Sequence, residues 1–471
     1  MVSFLLNDRL VESDAPEGTT LLDIVRYHQH LKGTKIGCRE GDCGACTVLV
    51  GELKNDGIEY KSMTSCLLAL ASVQGKHIVT VEGLNMDKLS MVQQAMVDES
   101  GTQCGFCTPG FVVSLSGCCM SPEKTDREAV VRSIDGNICR CTGYKSIERA
   151  AAIVADKLVN KDATNPIAWS VKNGFLPAYF SGIKERLKAL APSTPPTNTN
   201  AIIVAGGTDL YVQKHDTMHH SAVRSVFNNE DLKGIRIDSD QCTIGGGATA
   251  ADLMDAPELK RFFPDLEKHL LLVSSTPIRN MGTLAGNFVN ASPIGDLTAI
   301  FLALNSTITL SAIPGQARND RMLKLKDLYK GYKQLDKSAD ELVTAVRFTV
   351  PIKNTRFHFE KVSKRTHLDI ASVNSAIRLE LDGDTIREAH ISAGGVAPIP
   401  KYLTNTSAFL AGKPISSDTV RAAIKVMNEE IAPISDARGT AEYKRLLLRQ
   451  LFFAHFMELF PEKFTLNELV A

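Results

Sequence analysis

Three cysteines with interleaved glycines occupy the stretch from Gly37 to Cys46. Cys38, Cys43 and Cys46 have C-x4-C-x2-C spacing, and Cys66 follows a short way along the chain. Wrapping thiolates around a compact centre requires tight turns and positive φ, which glycine adopts readily, and such a loop aims backbone N–H groups at sulfur. The spacing is typical of plant-type [2Fe–2S] sites. Structural zinc prefers paired C-x2-C ligands, so we favour iron–sulfur over zinc here, and with it electron transfer.

A second cysteine set lies in two short motifs further along the chain. Cys104 and Cys107 form a C-x2-C pair, and Cys139 and Cys141 form a C-x-C pair. Taken alone, this pattern fits a four-thiolate zinc site as well as an iron–sulfur cluster. It follows an iron–sulfur loop directly, and electron transfer benefits from closely spaced centres. We therefore predict a second cluster here.

Two glycine-rich turns could bind a phosphate. A buried-type strand at 201–205 runs into Gly206-Gly207-Thr208, and a second turn lies within 276–287. Unobstructed backbone N–H groups and hydroxyls suit phosphate, and two such turns can clamp a pyrophosphate from both sides. Neither turn has the G-x-G-x-x-G pattern of a Rossmann site. A plain turn is the alternative at 206–208, and the glycines at 245–247 read as a strand-to-helix corner.

The remaining cysteines and a group of histidines are interpreted as structural residues. Cys118, Cys119 and Cys242 lack a ligand pattern, and free cysteine is among the most buried residue types. His215, His219 and His220 have helical metal spacing, but no carboxylate or N-terminal clamp accompanies them. We interpret them as structural.

Two predicted domains position the cysteines. Residues 1–82 form a small α+β unit with strands at 2–6, 9–12, 47–50 and 78–81 and a helix that starts at a Thr20 capping signal. A helix across a mixed sheet, with the cysteine loop at its end, is the plan of a β-grasp ferredoxin domain. Residues 83–160 are helical, and four helices in antiparallel pairs would bring the two later cysteine motifs together in a bundle.

Helix start signals define that bundle. A Ser90 capping box opens a helix to about Glu99. Thr108 is predicted as N-cap with Pro109 as first helical residue, which puts Cys104 and Cys107 at a helix N-terminus that stabilises thiolate. Ser121-Pro122 is predicted to start a further helix. A last helix has one apolar face, formed by Ile147, Ala150, Ala151, Val154 and Leu158.

The rest of the chain divides into a linker and two lobes. Residues 161–200 read as a linker, with a short amphipathic helix at 184–190 and a Pro/Ser/Thr/Asn stretch at 191–200. Residues 201–350 form a domain that contains the glycine turns. Residues 355–465 form a last lobe with strands at 357–362, 372–379 and 386–393 and helices at 419–431 and 442–459.

Bulk properties exclude several classes of function. The 471 residues suggest roughly three domains. Lys+Arg and Asp+Glu both number 53, so nothing indicates a nucleic acid or an anionic membrane as partner. No apolar run approaches the ~20 residues of a membrane helix, and the N-terminus does not read as a signal peptide. There are eleven cysteines, an odd number, and ten of them lie in the first third of the chain, a pattern that suits metal ligation in a reducing compartment, so we expect a cytoplasmic protein.

Five motifs together resemble a known family. They are GCREGDCGACTV (37–48), QCGFCTPG (103–110), NICRCTGY (137–144), VAGGTDL (204–210) and GNFVNASPIGDL (286–297). In this order they resemble the iron–sulfur and FAD subunits of bacterial xanthine dehydrogenases, within the molybdenum hydroxylase family. The resemblance implies a multidomain α+β fold: a β-grasp [2Fe–2S] domain, a four-helix [2Fe–2S] bundle, a vanillyl-alcohol-oxidase-type FAD domain and an α+β C-terminal flavoprotein lobe.

The resemblance also implies site residues. The first cluster's ligands would be Cys38, Cys43, Cys46 and Cys66, and the second's would be Cys104, Cys107, Cys139 and Cys141. The FAD pyrophosphate clamp would comprise one loop of Ile203, Val204, Ala205, Gly206, Gly207, Thr208, Asp209 and Leu210, and another of Thr283, Leu284, Ala285, Gly286 and Asn287. Asp296 resembles a flavin-contacting aspartate, and Arg387 is a weaker match to a basic flavin contact. Aliphatic Val273 stands where relatives have an aromatic ring against the isoalloxazine.

The implied function is an electron relay in purine catabolism. This sequence has no molybdopterin-binding region, so hypoxanthine and xanthine would be oxidised to urate on a large partner subunit, and electrons would pass through the bundle cluster, the β-grasp cluster and FAD to NAD. No residue of this chain is expected to be catalytic. Another molybdenum hydroxylase acting on aldehydes or N-heterocycles, a zinc-stabilised interaction protein, and dioxygen in place of NAD remain alternatives.

Overall fold

The chain forms two units. The structure, a computed structural model, describes residues 1–55, 57–123, 125–190, 201–312 and 320–470. The first unit consists of Met1–Asn228 and Ser275–Gly282, and the second of Asn229–Ser274 and Thr283–Ala471. The predicted 201–350 domain is therefore shared by both units, since its first residues and a short inner segment pack with the cysteine-bearing half.

The elements of the chain have the following bounds. The strands are β1 (Val2–Leu6), β2 (Arg9–Ser13), β3 (Thr47–Lys54), β4 (Gly57–Thr64), β5 (His77–Val79), β6 (Ile202–Val204), β7 (Val223–Ser225), β8 (Ile235–Asp238), β9 (Gln241–Gly245), β10 (Thr307–Ala312), β11 (Arg321–Lys324), β12 (Tyr329–Gly331), β13 (Gln334–Leu335), β14 (Glu341–Thr349), β15 (Thr355–Val362), β16 (Val373–Asp382), β17 (Thr385–Gly394) and β18 (Lys401–Tyr402). The helices are α1 (Leu21–Asp23), α2 (Met91–Asp98), α3 (Thr108–Met120), α4 (Arg127–Arg132), α5 (Lys145–Leu158), α6 (Pro166–Lys172), α7 (Ile183–Lys188), α8 (Leu210–Gln213), α9 (His215–His219), α10 (Ala250–Asp255), α11 (Pro257–Lys260), α12 (Leu266–Leu271), α13 (Thr276–Arg279), α14 (Leu284–Asn290), α15 (Asp296–Ala303), α16 (Thr404–Leu410), α17 (Ser417–Glu430), α18 (Ala441–Leu459) and α19 (Leu466–Val470).

A five-stranded sheet begins the first unit, in the order β2-β1-β5-β3-β4. β1 and β5 are parallel, and the other neighbours are antiparallel. The Thr20 hydroxyl accepts the Asp23 N–H and so caps α1, and the apolar residues of this helix join the sheet's core. The predicted helix on a mixed sheet is confirmed, with one turn of π-helix extending α1 to His28.

The helices α2, α3, α4 and α5 form the predicted bundle. Ser90 and Gln93 make the expected capping box at the start of α2. All five predicted apolar residues of α5 are buried. Along α3 the bundle packs against the sheet so closely that a Cβ at Gly117 would lie 2.7 Å from the Leu49 side chain.

Two predicted helix starts are wrong. Cys107, whose backbone is already helical, takes the N-cap position of α3, so Thr108 is the first helical residue and its hydroxyl bonds to that of Thr102 instead. Ser121 ends α3 rather than starting a helix. The next helix starts later, where the Asp126 side chain accepts the Ala129 N–H. A carboxylate that can reach a free N–H outcompetes the Ser-Pro signal.

The described part of the predicted 161–200 linker is folded into the first unit. It contains α6 and α7, the latter matching the helix predicted at 184–190. Phe175, Phe180 and Ile183 are each no more than 2% exposed. These apolar side chains give the segment a buried face. The many polar residues around them led to the prediction of a linker. Residues 191–200 lie outside the described residues.

The second unit contains two antiparallel sheets. One has the order β11-β10-β14-β9-β8 and the other β15-β16-β17-β18. Successive residues of β16 face different cores, since Ala376 packs with the first sheet's cluster and Ile377 with that of α17 and α18. The strands and helices predicted for 355–465 match β15 to β17, α17 and α18.

Within the described residues, none of the helices is both long and apolar enough to cross a membrane.

Candidate functional site

The Gly37–Cys46 loop has the backbone that its glycines predict. Gly41 and Gly44 have φ of +80° and +65°. A Cβ at Gly37 would lie 2.5 Å from the Cys43 sulfur, so any other residue there would collide with a predicted ligand. The loop therefore requires glycine for turns and for close approach to sulfur.

The four thiols of the first set approach one another in two pairs. A hydrogen bond from the Cys43 thiol lowers the pKa of Cys38 to about 5 and raises the pKa of Cys43 far above its ordinary value. Likewise a hydrogen bond from Cys66 lowers the pKa of Cys46 and raises that of Cys66. Each pair therefore contains one sulfur that is stabilised as thiolate, the form that binds metal.

Backbone N–H groups surround these sulfurs. The N–H groups of Glu40, Asp42 and Cys43 donate to the Cys38 sulfur, with Glu40 at 3.3 Å. Those of Ala45 and Gly41 donate to Cys43 and Cys66 respectively. This is the donor arrangement that the glycine-rich loop predicts, and such donors adjust the potential of a bound cluster.

The second set is paired in the same way. The Cys141 thiol lies 3.5 Å from the Cys104 sulfur and donates to it. Burial and a hydrogen bond to Cys139 raise the pKa of Cys107 to about 12. Burial acts to raise the pKa of Cys139, but hydrogen bonds from the hydroxyl and N–H of Thr142, with further ones from the Cys141 N–H and the Cys107 thiol, outweigh it and lower that pKa. Both predicted sets are thus brought together.

Paired thiols suit a two-iron cluster, in which four cysteines supply two thiolates to each iron. Among the described residues, no group of three or more His, Cys, Asp or Glu side chains converges on a single metal position. The donor chemistry and the two-by-two pairing fit [2Fe–2S] clusters at both sets.

Sequence reasoning missed an ion pair beside the first set. Arg39 has a φ of +59°, and its guanidinium donates to both Asp23 oxygens, at 3.1 and 2.7 Å. Burial acts to raise the pKa of Asp23, but hydrogen bonds from Arg39 and Thr20 hold it below its ordinary value. His219 lies 3.4 Å from the same carboxylate, and His215 lies 3.3 Å from Arg39. The histidine motif thus contributes to this charge cluster.

A second buried ion pair anchors the loop of Cys139 and Cys141. Asp135 accepts from the Arg279 guanidinium at 2.6 Å, and the two side chains are 4% and 1% exposed. The other Asp135 oxygen accepts the Thr276 N–H at 2.7 Å. The pair spans 144 positions in sequence, so no local pattern could have revealed it.

The first predicted FAD loop lies against the β-grasp domain. A Cβ at Gly207, whose φ is +74°, would lie 2.6 Å from the Leu67 carbonyl oxygen, and one at Gly206 would lie 1.8 Å from that of Met281. Leu67 follows the predicted ligand Cys66 directly. The two glycines thus let this loop approach the first cysteine set more closely than any other residues would.

The second predicted FAD loop differs from expectation, because its N–H groups have partners within the second unit. Leu284 donates to Ala248, and Ala285 donates to Gly246, both at 2.9 Å. The Gly286 N–H donates to the hydroxyl of Thr283, the N-cap of α14. A ligand bound at this loop would therefore contact its side chains rather than the backbone N–H donors that the sequence suggested.

Asp296 begins α15 in a buried network. It accepts from Lys361 at 2.7 Å and from the Asn374 amide at 2.6 Å. The same helix is joined to the second loop, because Asn287 accepts from the Thr298 hydroxyl at 2.8 Å. Lys361, whose side chain is 2% exposed, is a candidate residue that sequence reasoning missed.

Arg387 and Val273 have other surroundings. The Arg387 guanidinium pairs with Glu380 and is 60% exposed. Glu380 lies six residues from Asn374 along β16, a separation of about 20 Å, so Arg387 is not part of the Asp296 network. Val273 is buried in the core of the second unit.

Four family models match consecutive parts of the chain. Residues 4–70 match the 2Fe-2S iron-sulfur cluster binding domain, and residues 80–152 match the [2Fe-2S] binding domain. Residues 181–351 match the FAD binding domain in molybdopterin dehydrogenase, and residues 358–459 match the CO dehydrogenase flavoprotein C-terminal domain. These domains match those of the iron–sulfur and FAD subunits of molybdenum hydroxylases. The chain thus has two [2Fe–2S]-binding domains and an FAD-binding domain.

Curated relatives include both xanthine dehydrogenases and aldehyde oxidases. The xanthine dehydrogenase of Emericella nidulans is 27% identical, over 98% of this chain and 39% of its own length. Xanthine dehydrogenase 1 of Arabidopsis thaliana is 26% identical, over 94% and 38%. Aldehyde oxidase 4 of Cavia porcellus is 26% identical, over 98% and 40%. The chain thus spans about two fifths of the length of these relatives.

Solved structures share the fold of part of the chain. Carbon monoxide dehydrogenase from Hydrogenophaga pseudoflava, in a form lacking the Mo-pyranopterin moiety, matches with a TM-score of 0.50 and 23% identity, over 54% of this chain and 88% of its own. The Cu,Mo-CO dehydrogenase in its cyanide-inactivated form matches with a TM-score of 0.50 and 26% identity, over 54% and 87%.

Proposed function

We propose that this chain is the electron-transfer subunit of a xanthine dehydrogenase. A molybdopterin-binding partner subunit would oxidise hypoxanthine and xanthine to urate, and this chain would pass the electrons on to NAD. The eight paired cysteines would hold two [2Fe–2S] clusters, and the loops at 203–210 and 283–287, with Asp296, would hold FAD. When bound, these groups supply one-electron transfer and hydride chemistry, while the protein supplies their placement and electrostatics.

The order of sites within the first unit carries this proposal. Cys104 and Cys141 are exposed at the surface of the bundle, whereas Cys46 and Cys66 are 2% and 1% exposed. The predicted flavin loop lies against Leu67, beside Cys66. The bundle set thus suits contact with a partner subunit, and the β-grasp set suits contact with the flavin loop.

Backbone donors surround the sulfurs of both sets. Six N–H groups, those of Glu40, Gly41, Asp42, Cys43, Ala45 and Cys66, donate to sulfur at the β-grasp set, which favours the reduced, more negative state of a bound cluster. At the bundle set the donors are the N–H groups of Cys104, Phe106, Cys107, Cys141 and Thr142, together with the Thr142 hydroxyl. The two sets therefore both have backbone donors to sulfur and differ in how far their most exposed sulfurs are from solvent.

Metal content and electron flow test the proposal. Purified chain should carry FAD and about four irons, and a molybdopterin-binding chain should co-purify with it. In that complex hypoxanthine and xanthine should reduce the flavin. In a Cys43→Ser variant NADH should still reduce the flavin, while reduction by purine slows. A colourless chain that holds zinc would refute the proposal.

A second candidate is the same relay in an aldehyde-oxidising enzyme, which the likeness to aldehyde oxidase 4 favours. Because the substrate would bind to the partner, residues of this chain do not distinguish the two. Flavin reduction in the purified complex by aldehydes or N-heterocycles, but not by purines, would select this candidate. Turnover with NAD or with dioxygen identifies the acceptor.

A further inference from the structure

The two predicted cluster loops touch through backbone atoms. The Ile138 N–H donates to the Cys43 carbonyl oxygen, at 3.0 Å. Cys43 is a predicted ligand of the first cluster, and Ile138 is bonded directly to Cys139, a predicted ligand of the second. One hydrogen bond therefore completes an otherwise covalent path between a sulfur of each set.

The Asn137 side chain holds this contact from the side. Its Nδ2 donates to the Gly44 carbonyl at 3.1 Å, and its Oδ1 accepts from the Ser114 hydroxyl on α3 at 2.8 Å. Asn137 is 5% exposed and Ser114 is 2% exposed. The amide thus joins the first cysteine loop, the second cysteine loop and the bundle, and both of its hydrogen bonds are shielded from water.

Three glycines remove the side chains that would separate these elements. A Cβ at Gly44 would lie 2.3 Å from the Gly136 carbonyl oxygen, and one at Gly110 would lie 2.3 Å from that of Gly44. A Cβ at Gly136 would lie 2.7 Å from the Pro277 ring. The loops approach to backbone contact, and a small displacement of either would break the Ile138–Cys43 hydrogen bond.

We propose that Asn137 is a positioning residue for electron transfer between the two predicted clusters, because its amide keeps the Ile138 N–H on the Cys43 carbonyl. The inference rests on the proposed function. With clusters bound, one electron would leave the reduced centre at one set and enter the oxidised centre at the other, so one would be oxidised as the other is reduced, with no bond formed or broken. Coupling through bonds decays steeply when a hydrogen bond is replaced by a gap.

Asn137→Leu is a suitable test variant, because it removes both hydrogen bonds without adding charge. The Gly44 carbonyl keeps the Thr47 N–H and hydroxyl as donors, at 3.1 and 2.7 Å. The Ser114 hydroxyl can turn to a carbonyl of its own helix. No buried polar group is left without a partner. Ser170→Ala is the control, since it removes a buried hydroxyl that donates to Cys119 in the bundle, away from the contact.

The experiment follows electrons after a flash that photoreduces the flavin of the holo chain with EDTA as donor. Freeze-quench EPR records when each cluster signal appears, and a redox titration gives both midpoint potentials. In Asn137→Leu the first-cluster signal should appear at the wild-type rate and the second at least tenfold later, with iron content and potentials unchanged. Ser170→Ala should match the wild type.

A wild-type rate in Asn137→Leu with both clusters present would overturn the proposal, as would a delay that a shifted potential explains. A wild-type chain without cluster signals would instead refute the proposed function. If Asn137→Leu does not fold, Ser114→Ala provides the test, because it removes only the hydroxyl that orients the amide. A smaller delay of the second signal supports the inference, and no delay refutes it.

Discussion

The two cysteine sets have the same internal pairing and differ in how deeply their sulfurs are buried. Cys46 and Cys66 lie inside the core of the first unit, whereas Cys104 and Cys141 lie at the bundle surface, beside Phe106, which is 47% exposed. Cys38, Cys43 and Cys107 are half-buried, and Cys139 is buried. Each set thus has an inner and an outer side, and the β-grasp set lies deeper in the fold than the bundle set. This difference in depth suits the proposed relay.

The largest expected difference comes from removing one ligand of each set. Cys66→Ser and Cys141→Ser should each lower the iron content from about four to about two per chain, with loss of a different EPR signal. Cys66→Ser should also lower the thermal midpoint, because a serine hydroxyl enters a site that is 1% exposed. Cys141→Ser should lower the midpoint less, because only the stabilisation by the bound cluster is lost and the new hydroxyl remains in water. An equal fall in both midpoints would contradict the comparison.

Breaking the buried Asp135–Arg279 ion pair tests how firmly the loop of Cys139 and Cys141 is held. Asp135→Ala leaves the Arg279 charge buried without its partner, which should cost about 3–5 kcal/mol of unfolding free energy in a denaturant titration. Glu185→Ala removes a carboxylate from an exposed pair with Lys188 and is the control, expected to change stability little. A small effect of Asp135→Ala would mean that the bundle loop is loosely held.

Low pH should destabilise the second unit, which contains none of the predicted cysteine ligands. His358 and His455 are hydrogen-bonded there through Nδ1 at 2.8 Å, and His269 packs on His358. Burial lowers the pKa of His269 from 6.5 to about 3, and burial likewise lowers the pKa values of the other two. The unfolded chain therefore binds protons before the folded one, so stability is full above about pH 6.5 and declines as the pH falls toward 3.

His269 alone should account for a loss of about 2 kcal/mol between pH 7 and pH 5. The denaturant midpoint of the holo chain measures it, and the cluster absorbance shows whether the cysteine sites survive. His269→Leu should flatten this pH dependence. Glu360, Glu458, Asp265 and Lys268 also act on this cluster's pKa values, and a slope that persists in His269→Leu would assign the effect to them.

The smallest expected effect concerns a single hydroxyl. Thr142→Val removes the group that lies 3.1 Å from the Cys139 sulfur. Electron density on sulfur then rises, so the midpoint potential of the bundle cluster should fall while that of the β-grasp cluster stays constant. Thr102→Val, whose hydroxyl bonds only to that of Thr108 among the described residues, is the control for an EPR redox titration. Equal shifts at both clusters would contradict a local effect.

Local patterns predicted the local structure. Cysteine spacing, interleaved glycines and capping boxes depend on neighbours along the chain, so the Gly37–Cys46 loop, α2 and α5 could be read directly. The start of α4 could not, because Asp126 and Ser121 both suit a helix N-terminus, and only the structure shows that the Asp126 carboxylate accepts the Ala129 N–H. The folded stretch at 166–190 was not predicted for a similar reason. Its few apolar residues stabilise a fold only by packing against a core that is distant in sequence.

Long-range partners were outside the reach of the sequence. The Asp135–Arg279 and Asp296–Lys361 pairs join residues 144 and 65 positions apart. A charged residue with no visible partner reads as a surface residue, so both pairs escaped notice. The predicted backbone donors at 284–286 failed for the same reason, because their acceptors, such as Gly246 and Ala248, lie on a separate turn. The eight ligands and the FAD residues themselves remain predictions.

The burial of Cys46 and Cys66 has a consequence for maturation. Cys38 and Cys43 are partly exposed, but iron and sulfide have no open route to the two buried sulfurs, so a cluster at the β-grasp set would have to be inserted before the loop closes or through a local opening of it. The exposed sulfurs of Cys104 and Cys141 permit loading on a folded chain. If both sets bind clusters, the two sites therefore differ in how far the chain must open for a cluster to be inserted.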